Sequence, residues 1–356
     1  MIWGISAFEA IVYASIVLFA LLISTILLTV GYSWYTFRSG TRETDARESL
    51  KDDLLEELGS PSPDWERWAA DLTPVERRAI RDILREYLEI VSGTEREELR
   101  ALGYELAIDS WAAELLHEGD REEQLQALHW MERLGSQEDI LELTEQCQGD
   151  RELEAKAVNV LLAGDHPFMV DIGTELLLSR GVPLSLRGMD ALLRLYENQA
   201  GLLFDYAEQH VDAWDDLLLH QVLRVLHKCS AADIERSIPW LLDLVGHHSD
   251  LVRSGAIRII SEYPWHPEFR EGIQIEQLVN DPSERVRMAA FNLLGTWGDD
   301  PALDLLVSAV DTEPNERARI EGTRMLYRHR EQLHESLPQQ IEDTWGWVRA
   351  RQSVKS

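Results

Sequence analysis

Cysteine is nearly missing from this chain. Cys147 and Cys229 are the two present in 356 residues, far apart and in no CxxC pair. Their spacing excludes a disulfide framework and a cysteine-built zinc site, and it fits a reducing compartment. Both read as buried apolar thiols. Lysine is scarce as well. Of 34 basic residues only Lys51, Lys156, Lys228 and Lys355 are lysines, against 64 acidic residues and a net charge of −30. A field this negative repels phosphate backbones and anionic lipid, which argues against nucleic acid as a partner. In concentrated salt that field is screened within about 3 Å, so a local basic groove stays compatible with it. Acid excess with few lysines matches the composition of proteins from salt-loving cytoplasms. The arginine codon preference of a GC-rich genome produces the same bias.

Signatures of chemistry are missing too. There is no P-loop, no GxGxxG after a strand, no HExxH and no GxSxG. His227-x-Cys229 and His247-His248 each place two possible ligands close together, with no third donor at supporting spacing. Histidine near Pro264-Trp265-His266-Pro267 reads as a capping or packing residue. Asp215-Asp216 and Asp299-Asp300 are acidic pairs at helix starts, where they complement the helix dipole. No catalytic, cofactor-binding or metal residue is assigned, no cofactor is expected, and the chain reads as non-catalytic. Alternating β-branched runs with hairpin turns are absent, which leaves an all-α chain.

What is present begins with an uncharged run from Ile11 to Val30. As a helix it rises about 30 Å, the hydrocarbon thickness of a bilayer. Trp3 on one side and Tyr32, Trp34 and Tyr35 on the other stand where interfacial aromatics are expected. Residues 1–10 carry no Lys or Arg, and no Ala-x-Ala follows the run, so an uncleaved anchor is favoured over a signal peptide. Arg38, Arg42 and Arg47 follow the span, placing its C-terminal side in the cytoplasm. The expectation is a single-pass protein of the cell membrane with its N-terminus outside. Ala10/Ala14 and Ala20/Ser24 are small-residue pairs that would permit association with other transmembrane helices, although lipid-facing filler is the preferred reading. The expected organisation is an anchor over 1–37, a charged linker over 38–64 ending in Pro61-Ser62-Pro63, and a helical domain over 65–356.

Helix starts recur along that domain. Thr73-Pro74-Val75-Glu76 and Thr94-Glu95-Arg96-Glu97 read as capping boxes, and Asp281-Pro282-Ser283-Glu284 repeats the scheme with Asp as the cap. Asp300-Pro301 starts a further helix. A longer period follows. Val252 to Ile260 aligns with Val286 to Leu294 and with Ala318 to Leu326, at steps of 34 and 32 residues. Ala256, Ala290 and Gly322 share a mid-helix slot in these copies, where a small side chain lets a neighbouring helix approach. Val222, Ala157 and Ala127 occupy that slot upstream, and the register blurs around Leu186 to Leu195. A partner helix precedes each copy, at 239–245, 275–279 and 302–310. Helix pairs recurring at this period make a solenoid.

The run from Asp281 to Gly295 resembles a HEAT repeat of the short prokaryotic type, whose pattern is D-x-x-x-x-V-R-x-x-A-x-x-A/L-L-G. The resemblance is specific over 238–335 and weakens back to about 65. The flanking copies depart from it, with Ser249 or Asp250 and then Glu313 at the leading Asp. It implies an α-solenoid of antiparallel helix pairs. Arg253, Arg287 and Arg319 hold the repeat's own arginine position, so a ladder paired with Asp250, Asp281 and Glu313 is preferred over a ligand-binding role. Trp65 and Trp68, or Trp345 and Trp347, are expected to cap the solenoid ends. The function read from this is a membrane-tethered scaffold or adaptor that recruits unidentified protein partners. An accessory subunit of a membrane complex is the alternative, followed by a lyase-type enzyme, since such repeats also occur in bilin lyases.

Overall fold

The computed structural model describes residues 47–135, 140–164, 168–197, 199–229, 238–263, 266–333 and 337–353. The expected span from Ile11 to Val30, with Arg38 and Arg42, lies outside these residues. Arg47 is described. It stands at the start of helix α1 (47–58) and pairs with Glu86 at 2.5 Å. Among the described residues no helix is long and apolar enough to cross a membrane. The longest, α3 (Pro74–Ile90, 17 residues), is short of a span and carries charge along its length. The single-pass placement with a cytoplasmic domain is therefore corrected: no described element supports it.

Among the described residues every regular element is helical. Contacts divide the chain into two compact units, one up to Leu115 with Arg133–Ser136, the other Leu116–Glu132 with the chain from Gln137 onward. The stretch expected as one domain, 65–356, thus spans both.

The first unit contains α1, α2 (Trp65–Ala70), α3, α4 (Thr94–Glu105) and most of α5 (Ile108–Glu118). Its interior is aliphatic, with Leu54, Ile80, Ile83, Leu84, Leu99 and Leu102 fully buried. The Thr73 box forms in full: the Glu76 N–H donates to Thr73 Oγ1, and the Thr73 N–H donates to Glu76. The second box does not form. Thr94 is already the first helical residue, and its cap is Gly93, at φ 76° with no side chain to offer.

In the second unit most of α6 (Arg121–Leu134) is followed by α7 (Ile140–Cys147), α8 (Arg151–Ala163), α9 (Met169–Leu178), α10 (Leu186–Tyr196), α11 (Ala200–His210) and α12 (Asp216–Lys228). Then come α13 (Ile238–Val245), α14 (Asp250–Ile260), α15 (Pro267–Gly272), α16 (Ile275–Leu278), α17 (Glu284–Trp297), α18 (Asp300–Asp311), α19 (Glu316–Arg328) and α20 (Gln339–Ser353). The second helices of successive pairs, α8, α10, α12, α14, α17 and α19, stack on one another, with α20 against α19. First helices such as α9, α13 and α18 pack along them. This is a repeat-like solenoid, and one core cluster runs through it from Val158 to Ile341. The partner helix expected at 275–279 is a four-residue turn, preceded by the six-residue α15, whose Phe269 is fully buried.

The mid-helix slot sits inside this stack. Ala256 and Ala290 have no exposed surface. At Gly322 an added Cβ would come 2.3 Å from Val310 Cγ2 and 3.1 Å from Phe291 Cδ2. Glycine there is a matter of space. Close backbone approach is what lets each second helix touch its neighbour.

Candidate functional site

Two rows of side chains define the surface of the second unit. The first runs along the starts of the second helices. Arg253 Nη1 donates to the carbonyls of His247 and His248, both at 2.9 Å, and its Nε and Nη2 grip Asp281 at 3.0 and 2.9 Å. Arg287 repeats the arrangement, with Nη1 on the carbonyls of Asp281 and Pro282 and a fork at 2.7 Å on Glu313. Arg319 Nη1 donates to the Glu313 carbonyl at 3.2 Å. Arg253 and Arg287 therefore brace their own preceding turn and clasp the acid of the following repeat, while Arg319 makes the brace alone. Asp281 is consequently no helix cap. It takes Arg253, while α17 starts after Ser283, whose hydroxyl donates to Asp250.

Upstream the same position is charge-reversed. Glu154, 1% exposed, accepts from its own preceding turn at the Gly149 N–H and from Arg180 after α9, each near 3 Å. Arg151 adds a third bond to the same carboxylate and reaches the carbonyls of Leu177 and Val182. A buried carboxylate demands such partners. The repeat keeps the clasp and inverts its polarity.

The second row lies on the open face of the stacked helices. Arg258 follows Arg224 by 34 residues, and Arg317 follows Arg285 by 32. The position of Arg285 lies seven residues, two helical turns or about 10 Å, before that of Arg258 on the same helix face. Arg224, Arg285 and Arg317 are exposed and Arg258 is partly buried. None of the four makes an ion pair among the described residues. Their charges still reach neighbours: Asp250 is lowered first by its bond from the Ser283 hydroxyl and then, against burial, by the charge of Arg285. Arg258 is held below the ordinary guanidinium range by burial first, then by the charges of Arg285 and Arg224, with Glu321 opposing and Arg317 adding. Glu321 is itself paired with Arg324. His220, whose Nδ1 donates to the Leu251 carbonyl at 2.9 Å, is pushed down by burial. The Leu251 bond opposes that shift, and Arg224, Arg258 and Arg285 strengthen it. Leu217, Leu251, Met288 and Ile320 interleave with the arginines and are not fully buried.

Among the residues singled out from sequence, the structure joins one set that spacing concealed. Asp216 Oδ2 lies 2.9 Å from His248 Nε2, and ligand atoms of Asp216, His247 and His248 all fall within 4.8 Å of one another. Asp216 opens α12 more than thirty residues before the histidines, so no local motif could show it. His227 meets Glu262 at 3.8 Å, while Cys229 is buried with its thiol pushed up by burial. Cys147 is fully buried, and burial followed by the charges of Glu154 and Asp150 pushes its thiol up to about 12. Asp215 and Asp299 cap α12 and α18. Trp65 meets Trp68 edge-on and donates to Glu98, and Trp345 packs against Tyr327. Trp347 lies under Arg351. A groove of about 340 Å³ near α7 and α9 is lined by Glu145, Glu154, Asp171 and Glu175. Its described lining also includes Arg180, which pairs with Glu154, and contains no histidine or cysteine.

No family model matches this chain, and no curated protein matches it. A solved crystal structure described as an engineered protein is 14% identical and covers 89% of this chain and 96% of its own, at a TM-score of 0.28. A likeness at that score carries no weight. The assignment of an all-helical, repeat-like solenoid rests on the packing described above.

Proposed function

We propose that this chain is a HEAT-like scaffold that works by binding, without catalysis, and that its open arginine face holds an acidic segment of a partner protein. The observation that carries this reading is the row Arg224, Arg258, Arg285 and Arg317. In a chain with 64 acids to 34 bases, pairing every arginine on this face would need only a few of the surplus carboxylates. These four remain without ion pairs among the described residues, and the charges of Arg285, Arg224 and Arg317 all bear on Arg258. Such an arrangement costs self-repulsion in the free protein and is relieved when carboxylates arrive, each able to take a guanidinium fork bidentately. Interleaved Leu217, Leu251, Met288 and Ile320 favour an amphipathic protein segment over a bare polyanion. The acidic remainder of the surface steers polyanions away in general and confines attraction to this strip.

Titrating the full chain into a labelled amphipathic Glu/Leu peptide, followed by fluorescence anisotropy, tests the reading. Binding should weaken as salt rises and be lost in the Arg224→Glu/Arg258→Glu variant. Absence of binding, or binding indifferent to that variant, would overturn it. Tighter binding of a single-stranded oligonucleotide at the same face would replace the protein partner with nucleic acid.

A further inference from the structure

We infer that Asp216, His247 and His248 form a binding site for one borderline divalent transition ion, such as Zn²⁺ or Co²⁺. The donor set is two imidazoles and one carboxylate, which suits these ions and not the all-oxygen preference of Mg²⁺ or Ca²⁺. The geometry is near what ligation needs. Metal–ligand bonds of about 2.0–2.1 Å in a four-coordinate site place neighbouring donor atoms about 3.3 Å apart. Here one pair stands at 2.9 Å and all three atoms lie within 4.8 Å. The difference is closed by turning His248, whose side chain is 77% exposed, without moving the backbone.

What distinguishes this cluster from an ordinary surface ion pair is how its backbone is held. Arg253 Nη1 pins the carbonyls of both His247 and His248 at 2.9 Å, and Asp281 fixes Arg253 in turn. Asp216 is fixed by the start of α12, which Asp215 caps. Two elements from consecutive repeats thus present donors from rigid positions, the condition a preorganised site requires. His247 Nδ1 accepts the Ser249 N–H at 3.2 Å, so that nitrogen presents a lone pair. Ligation gives up two contacts: the 2.9 Å one between His248 Nε2 and Asp216 Oδ2, whose shared proton is released to water, and the 3.2 Å bond from the Ser249 N–H to His247 Nδ1, an N–H at a helix start where water replaces it. A bound ion would tie the turn before α14 to the start of α12 and leave a coordination position open to water or to a partner's donor.

The test uses the untagged full chain, stripped with chelator and titrated with CoCl₂ while visible d–d absorption and helical circular dichroism are recorded. One Co²⁺ per chain is expected to bind, displaced by ZnCl₂ and unaffected by MgCl₂. Asp216→Asn and His247→Ala/His248→Ala should each weaken binding by about tenfold or more, with helicity unchanged. His227→Ala should leave it alone. No bound Co²⁺, or binding retained in the double histidine variant, would overturn the site.

Discussion

The carboxylate of Glu313 is held at 2.7 Å by both Nε and Nη2 of Arg287, which belongs to the preceding repeat, and only 1% of the Glu313 side chain is exposed. Burial alone would raise this carboxyl. The bonds from Arg287 and the Asn315 N–H, with the charges of Arg287 and Arg319, outweigh it and keep Glu313 below the ordinary carboxylate value. The pair is a joint between repeats as much as an ion pair.

Breaking the joint should be costly. Glu313→Gln leaves the mostly buried Arg287 without its counter-charge, and a loss of about 3 kcal/mol is expected in urea unfolding. Arg319→Gln removes only a bond to a carbonyl and should cost about 1 kcal/mol. Equal effects would contradict the clasp.

Acid should dissolve the ladder in a defined window. Asp150 is lowered to about 2, first by its hydrogen bond from Arg121, then, against burial, by the N–H groups of Glu152 and Leu153 and the Arg121 charge. Glu313 is also lowered. A folded-state pKa below the unfolded one adds stability that is complete above the unfolded value and drains as pH falls. Melting temperature should thus hold above about pH 4.5 and fall below it, the Asp150 share disappearing between about pH 4 and 2. Asp150→Asn should flatten the profile in that last interval. An unchanged slope would count against the Arg121–Asp150 link.

The mid-helix slot sets a steric limit. Ala290→Leu and Gly322→Ala should each lower stability by about 1–3 kcal/mol while helical circular dichroism is kept, because the added carbons meet packed neighbours. Asn292→Leu, which loses a bond to the Met288 carbonyl on a partly exposed face, is the control. Melting curves that place Ala290→Leu beside the control would contradict the packing.

Both thiols should be inert. Cys147 and Cys229 are buried with raised pKa values, so neither thiolate is available to attack. Ellman's reagent should label neither in the native protein and both after unfolding; fast native labelling would contradict their burial.

How much of this was legible follows from what periodicity encodes. A 3.6-residue stripe identifies which side of a helix is buried, so the all-α character and the small slot at Ala256, Ala290 and Gly322 are visible in the chain. Partners across repeats are not. Arg253 takes Asp281 rather than Asp250, and Arg287 takes Glu313 rather than Asp281, because each fork reaches into the next turn of the stack. Glu154 hides the same joint behind the opposite charge. Thr94-Glu95-Arg96-Glu97 has the letters of a capping box, but Gly93 takes the cap position and the helix starts one residue early. The open arginine face is not legible as a row because its members occupy two repeat positions instead of one. The grouping of Asp216 with His247 and His248 is not legible because they lie one repeat apart.

Charge exchange across the open face tests the central claim most directly. In the Arg224→Glu/Arg258→Glu variant the Glu/Leu peptide should no longer bind, and its Lys/Leu counterpart should bind in its place, with salt weakening both the original and the exchanged complex. Anisotropy titrations of the two peptides against the two proteins give the four affinities required. A scaffold that binds acidic segments through Arg224, Arg258, Arg285 and Arg317 predicts that preference inverts with the face. A variant that keeps its affinity for the acidic peptide, or a parent protein that binds neither peptide, would contradict it.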